Sequence, residues 1–320
     1  MKKIVVLKGG DSPERDVSLD SGAEIAAALR KNGWLVKELE LTSHTLITEI
    51  IADIQKENCR LVFNGLHGGR GENGELQAAL SLAGVICTGS GFKACCLTMD
   101  KYLTKLLVAA EGIPVPKQIF MRGNLLEDYQ DPADYASFAA ELGLPIIVKP
   151  NDAGSSVGIS KVEELSGLKP AILHALKYSS AILLEEYIPG SELTVTVLDG
   201  KALPVVEIQP LDGWYNYENK YTKGKTRYIA PAELEDSVVS LLQLYALRIW
   251  KAAELSGYAR IDFRFDGKIP YFLEVNTLPG MTSLSLTPKA AKAAGMPFGE
   301  LLETIIEISL REAGRKNEIL

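Results

Sequence analysis

Residues 257–276 (Gly-Tyr-Ala-Arg-Ile-Asp-Phe-Arg-Phe-Asp-Gly-Lys-Ile-Pro-Tyr-Phe-Leu-Glu-Val-Asn) set an arginine, two carboxylates and an amide on largely apolar runs. Asp266-Gly267 marks the turn of a β-hairpin between two short strands. Side chains alternate along a strand, so Arg260 and Asp262 share one face of the first and Glu274 and Asn276 one face of the second. A short turn brings Asp262 roughly opposite Glu274. Two carboxylates and an amide oxygen suit Mg²⁺, which takes few protein ligands and completes its shell from water and nucleotide phosphates. An edge hairpin with solvated charges is the plainer alternative.

A second chemical signal lies upstream. Residues 145–158, Pro-Ile-Ile-Val-Lys-Pro-Asn-Asp-Ala-Gly-Ser-Ser-Val-Gly, put Lys149 at the end of a buried strand and follow it with a loop of small residues. Gly154 and Gly158 permit close backbone approach, and Ser155 and Ser156 add donors, as in loops that cradle phosphate through N–H groups. The lysine precedes the glycines, so this is not a Walker A loop; a turn that simply needs glycine is the alternative. Lys101, in Met99-Asp-Lys101, starts a helix, where a lysine opposes the macrodipole and is ordinarily solvated. Lys220 falls in the polar loop 212–227, again solvent-facing by residue type. Three lysines and Arg260 nevertheless match the charge of a triphosphate.

Alternating strand and helix signals occupy the first ninety or so residues: strands at 4–7, 35–41, 61–65 and 85–87, helices at 17–31, near 47–55 and at 75–82. This order predicts a parallel sheet flanked by helices, with ligands at strand C-termini. Both glycine-rich segments, 9–14 and 66–74, follow such strands. Neither is a G-x-G-x-x-G fingerprint, which argues against a dinucleotide dehydrogenase. A second unit, 92–189, carries a helix at 97–111, strands at 118–121, 145–149, 157–161 and 182–188, and helices at 135–142 and 168–178. Pro189-Gly190 is a hinge candidate. The third unit, 190–320, holds a hairpin turning at Asp199-Gly200, the polar loop, a long helix at 234–255, the acidic hairpin and a terminal helix at 298–312. There is no internal repeat.

Composition excludes several classes. The chain has 320 residues, 47% hydrophobic and 23% charged, with a formal charge of −7, the wrong sign for a nucleic-acid binder. Its four cysteines (Cys59, Cys87, Cys95, Cys96) lack metal-ligand spacing and a secreted protein's density, which predicts reduced thiols in a cytoplasmic protein. The apolar run after Lys2-Lys3 stops at Leu7, too short for a signal segment. No stretch approaches the roughly 18 apolar residues of a membrane span.

Taken together, these stretches resemble the ATP-grasp enzymes, and within them the D-alanine–D-alanine ligases. The resemblance runs in order through 9–19, the His67 box (67–77), 148–158, Glu185-Glu-Tyr-Ile-Pro-Gly190, Tyr217-Glu-Asn-Lys-Tyr221, Arg260-Ile-Asp262 and 273–286. Lys149 and the acidic hairpin indicate an ATP-grasp fold; the Glu14 box, the His67 box and the 281–286 tail are more specific to the ligases. Asn73 and Asp16 depart from the more usual Asp and Glu of those boxes.

What the resemblance implies is a three-lobed α/β ATP-grasp fold behind an N-terminal parallel-sheet (pre-ATP-grasp) domain, with ATP between the second and third lobes. It implies that Glu185, Glu186, Tyr187 and Ile188 form the adenine hinge and Glu192 meets the ribose. Lys101, Lys149 and Lys220 contact phosphates, and Asp262, Glu274 and Asn276 hold two Mg²⁺ (or Mn²⁺) ions. Glu14 pairs with the ammonium of the first D-alanine, His67 positions it, and Ser285 and Leu286 receive the carboxylate of the second. Ser155 and Tyr221 form a hydrogen-bond chain with Glu14, and Arg260 and the Gly280 N–H stabilise the oxyanion. Taken singly, His67 reads as a satisfied core or loop histidine, Glu14 as a surface or first-turn carboxylate and Ser285 as an ordinary loop serine. The implied activity is ATP-dependent, ADP-forming ligation of two D-alanines through an acylphosphate, for peptidoglycan synthesis, by a homodimer. Tyr221 favours an amine over a hydroxy-acid acceptor. The competing readings are an ATP-grasp ligase with another acceptor and a nucleotide-binding module without catalysis.

Overall fold

Ile4-Val-Val-Leu7 is wholly shielded from solvent, as a strand covered on both faces requires. In the computed structural model, which describes residues 2–123, 132–211 and 224–319, this run forms β1 (Lys3–Gly9). It pairs in parallel with β2 (Leu35–Leu41) and β3 (Leu61–Asn64), and β3 with β4 (Ile86–Cys87), giving the order β2-β1-β3-β4. Helices α1 (Arg15–Lys31), α2 (Ile47–Lys56), α3 (Gly69–Glu72) and α4 (Glu75–Leu82) complete the predicted alternation, α3 being the one unanticipated helix. Because β1 and β3 are neighbours, the glycine-rich loops that follow them open side by side at the C-terminal edge of the sheet. Ser18 of α1 ties the two loop bases together: its Oγ accepts from Gly9 N at 2.9 Å and donates to Gly65 O at 2.7 Å.

The second sheet is antiparallel, in the order β5 (Gln118–Arg122), β8 (Ala181–Glu186), β6 (Ile146–Pro150), β7 (Ser160–Val162). Helices α7 (Pro132–Leu142) and α8 (Leu168–Ala175) accompany it, and Phe138, Leu142, Leu168 and Ile172 share a core with its Ile146, Val148, Ile182 and Leu184. Strand β7 starts later than the expected 157–161, since Ser155, Ser156 and Gly158 all have positive φ (55°, 57° and 73°) and the loop runs on.

The third sheet has the order β12 (Thr226–Ile229), β11 (Val206–Pro210), β9 (Ser191–Leu198), β13 (Tyr258–Phe265), β14 (Pro270–Asn276), with β10 (Lys201–Ala202) also on β9. Helix α9 (Asp236–Ala252) packs on it.

One expectation needs correction. The helix predicted over 97–111 is two, α5 (Phe92–Met99) and α6 (Lys101–Ala110), broken at an extended Asp100 (φ −80°, ψ 101°) whose side chain caps Leu103 N. Their Ala94 and Val108 join the core of the third sheet with Val195, Phe263 and Phe272. Likewise the helices after the acidic hairpin, α10 (Leu286–Ala293) and α11 (Phe298–Ile319), place Leu301, Leu302 and Ile305 in one core with Ile4–Leu7. Packing thus crosses the divisions at 91/92 and 189/190. Periodicity reveals an apolar helix face but not the surface it covers.

Phe263 and Phe272 meet edge-to-face at 6.3 Å and 75°, both wholly buried, directly behind the acidic hairpin. Phe263→Ala is expected to cost about 3–5 kcal/mol, measured as a lower urea midpoint with unchanged slope.

Candidate active site

The β13–β14 register places Arg260 opposite Asn276 and Asp262 opposite Glu274. Directly opposed residues of an antiparallel pair project to the same side, so the two faces assigned strand by strand are one face. The pair is no solvated edge hairpin, because β13 lies between β9 and β14 and Asp262 is 5% exposed. Its Oδ1 accepts from Arg260 Nε (2.8 Å) and Thr194 Oγ1 (2.7 Å), and its Oδ2 from Arg260 Nη2 (2.8 Å) and Asn276 Nδ2 (3.0 Å). Asn276 thereby keeps its amide oxygen for a cation.

Lys101 is not solvated. It is buried, donates to Ala153 O at 2.7 Å and lies 3.4 Å from Glu274. The residue-type expectation fails because the chain breaks at Asp100 and α6 starts with its first residue against Glu274 of β14 and the loop after β6. Among the described residues no group of three or more His, Cys, Asp or Glu converges as a metal cage. The all-oxygen set of Asp262, Glu274 and Asn276 fits a hard dication that draws its remaining ligands from phosphate and water.

A cleft lies between the second and third sheets. Pro116, Ile147, Ile188 and Leu273 line it with apolar surface, and Lys149, Asp262 and Glu274 with charge. Its rim is held by Arg264, whose Nε donates to Ile188 O at 3.1 Å while its guanidinium lies 3.6 Å from Glu192 and over the Tyr187 ring. Glu186 accepts from Lys117 N at 2.8 Å. The Glu185 carboxylate lies 2.8 Å from Lys149 and 2.6 Å from Lys105. Burial works against the Glu185 charge, but the two ammoniums outweigh it and hold the carboxyl below its usual range. For Lys105 burial dominates, and despite Glu185 its ammonium is pushed down to about 7.

The first-sheet loops close the far end. Glu14 lies between two glycines: a Cβ on either Gly68 or Gly154 would come within 2.7 Å of its Oε2. Ser155 Oγ donates to its Oε1. His67 is buried, with Nδ1 2.8 Å from Leu278 O and Nε2 2.9 Å from Ser21 Oγ. A carbonyl can only accept, so Nδ1 carries hydrogen and donates to Leu278 O, while Nε2 shares a hydrogen bond with Ser21 Oγ. Both ring nitrogens are therefore committed to protein groups. Ser285 Oγ caps the 282–285 turn by accepting from Thr282 N at 3.2 Å, a Cβ on Gly280 would come 3.0 Å from that Oγ, and Leu286 opens α10. Lys220 and Tyr221 lie outside the described residues.

Several residues that shape the site escape sequence reasoning. Ser21 accepts from Met281 N (3.2 Å), Glu72 from Leu278 N (2.9 Å) and Glu24 from Ser283 N (2.7 Å), so α1 and α3 jointly hold the 278–285 loop. Thr194 and Lys105 are the others. Only Lys105 had a signal, its place one helical turn beyond Lys101.

Comparison with known proteins points one way. A family model described as D-ala D-ala ligase C-terminus matches residues 107–307. The D-alanine–D-alanine ligase of Actinobacillus pleuropneumoniae serotype 5b is 40% identical over 309 residues, covering 96% of this chain and 98% of that protein. The crystal structure of D-alanine–D-alanine ligase from Bacillus anthracis complexed with ATP matches at a TM-score of 0.82 and 31% identity, covering 98% of this chain and 99% of that one. The VanG D-Ala:D-Ser ligase from Enterococcus faecalis matches at 0.81 and 30%, covering 96% and 99%.

Ser21→Ala would leave the Met281 N–H and the His67 ring each short of a buried partner. The expected loss is about 1–3 kcal/mol of stability, read by thermal denaturation, with faster amide hydrogen exchange concentrated in 278–285.

Proposed function

The chain belongs to the D-alanine–D-alanine ligase family, and on that premise we propose how its own residues carry out the family's reaction. The protein is an ATP-dependent ligase that joins two D-alanines into D-alanyl-D-alanine, releasing ADP and phosphate, the dipeptide serving peptidoglycan synthesis. A carboxylate resists attack by an amine, so the γ-phosphoryl group of ATP passes to the carboxylate of the first D-alanine. The amine of the second then attacks the acylphosphate carbon, a tetrahedral oxyanion forms, and phosphate leaves as the amide closes.

ATP occupies the cleft between the second and third sheets. The base lies on the apolar wall beside the 185–188 backbone, the ribose near Glu192, and the phosphates between Lys149 and Lys101. Mg²⁺ or Mn²⁺, two ions held by Asp262, Glu274 and Asn276, would neutralise phosphate charge when bound. Arg260, fixed by both oxygens of Asp262, keeps a guanidinium beside the reacting groups; with the Gly280 N–H it stabilises the oxyanion. Glu14 takes the ammonium of the first D-alanine, while His67 shapes that pocket through Leu278 and Ser21. Ser285 and the Leu286 N–H receive the second carboxylate. Lys220 and Tyr221 complete the phosphate site and the Glu14–Ser155 chain. The same reading makes 1–91, 92–189 and 190–320 three lobes of a cytoplasmic homodimer. Among the described residues no helix is long and apolar enough to cross a membrane.

One observation carries the reading: Glu14, from the first-sheet loop, hydrogen-bonds Ser155 of the loop after Lys149. A group suited to an amino-acid ammonium is thus coupled to one suited to phosphate, as phosphorylation of an amino acid needs.

Mass spectrometry after incubation with ATP, Mg²⁺ and D-alanine is expected to find D-alanyl-D-alanine with one ADP per dipeptide. D-serine or D-lactate as acceptor should give far less product, and a preference for either would overturn the acceptor assignment. In a coupled ADP assay, Asp262→Ala should abolish D-alanine-dependent ADP release; undiminished turnover would remove Asp262 from the metal site.

A further inference from the structure

Lys105 has no solvent exposure, the largest such charged side chain among the described residues, and none of the roles above uses it. It projects from α6 one turn beyond Lys101 onto the Glu185 carboxylate, 2.6 Å from Oε1, while Lys149 approaches Oε2 at 2.8 Å. The strand register explains the second contact. Ile147 opposes Glu185 and Lys149 opposes Leu183, so Lys149 is a diagonal neighbour of Glu185 on one face of the second sheet. Lys149 and Glu185 line the cleft; Lys105 lies behind them.

Two ammoniums thus share one carboxylate, an arrangement with one positive charge over. Without Lys105, Glu185 and Lys149 would be a closed neutral pair. An incoming phosphate would then attract Lys149 only by leaving a buried carboxylate unpaired, which is strongly unfavourable. With Lys105 present, Glu185 retains a counter-ion whichever way Lys149 turns. We propose that Lys105 is a positioning residue of the nucleotide site, which neutralises Glu185 so that the Lys149 ammonium is available to the phosphates of ATP. This rests on the assignment of Lys149 to those phosphates.

A charge-linked consequence follows. Burial brings Lys105 down to about 7, so in the unliganded protein it loses its proton as pH rises through neutrality. Bound phosphate beside Lys149 favours the protonated form, so ATP binding takes up a proton above that point, and affinity falls as pH rises. Other charges on elements packed against α6 are committed elsewhere: Glu274 of β14 faces Lys101, and Arg248 of α9 faces Glu111 just past the end of α6.

The test uses the full chain with Mg²⁺-ATP and three variants: Lys105→Met, Lys149→Met, and Lys105→Met/Glu185→Gln. Lys105→Met should raise the KM for ATP roughly 10- to 100-fold, the effect of losing one charge-assisted contact, with the KM for D-alanine unchanged. Adding Glu185→Gln removes the carboxylate that would capture Lys149 and should restore the KM for ATP to within a few-fold, where a merely structural role predicts further loss. Calorimetry near pH 8 in two buffers of different ionisation enthalpy should show proton uptake in the wild type that Lys105→Met lacks, the nucleotide's own proton cancelling in the difference. An unchanged KM for ATP in Lys105→Met, or no rescue by the double variant, overturns the proposal while leaving Lys149 in place. Unchanged ATP affinity in Lys149→Met overturns the phosphate assignment and this inference with it. If Lys105→Met does not fold, the double variant and the wild-type proton uptake decide: weak ATP binding by the double variant, or no uptake, overturns it.

Discussion

A carboxylate taken out of water stays charged only where cations or hydrogen-bond donors surround it, and that constraint organises the cleft. Among the described residues Asp262 and Glu185 are the two buried examples, on strands of different sheets. Asp262 draws Arg260 from its own strand, Asn276 from β14 and Thr194 from β9. Glu185 draws Lys149 from β6 and Lys105 from α6. Each carboxylate therefore fixes the register of at least two neighbouring elements. Helix α6 links the two carboxylate-bearing sheets, contributing Lys101 to Glu274 and Lys105 to Glu185.

The third side of the site is attached by uncharged contacts. Helix α1 carries two buried serines on one face: Ser18 joins the bases of the two glycine-rich loops, and Ser21 joins His67 to Met281. Small side chains let the helix approach closely, and each hydroxyl both donates and accepts, so one atom satisfies two loops. The loop at 278–285 has little regular structure, and its backbone N–H groups are satisfied by Glu72, Ser21 and Glu24 from the first lobe. Its shape is set by the lobe it packs against.

Local physics made much of this legible. The acidic hairpin was readable because an Asp-Gly turn between alternating runs fixes both its existence and, nearly, its pairing; what alternation lacked was the cross-strand register that merges two faces into one. The parallel sheet and its loops followed from fully apolar runs ending in glycine. Lys101 illustrates what was not readable. Lysine at a helix start is ordinarily solvated, and only the tertiary placement of α6 against β14 overrides that preference. Thr194 and Ser21 were invisible for a related reason: each matters through a partner distant in sequence. That α5 and α6 pack on the third sheet and α11 on the first was not readable, because an apolar stripe does not name the surface it will cover.

The choice between arginine and lysine follows the same logic. Where orientation has to persist through a reaction, as at Asp262, the site uses arginine, whose planar fork engages both carboxylate oxygens and whose charge is permanent. Around Glu185, where on the proposed reading one cation exchanges a protein partner for a ligand, it uses two lysines, each a compact point charge on a flexible stem. An arginine at 149 could clamp Glu185 bidentately and resist being drawn to phosphate. An arginine at 105 would demand more room than a wholly enclosed position offers. Fixed charge holds the chemistry still, and exchangeable charge admits the nucleotide.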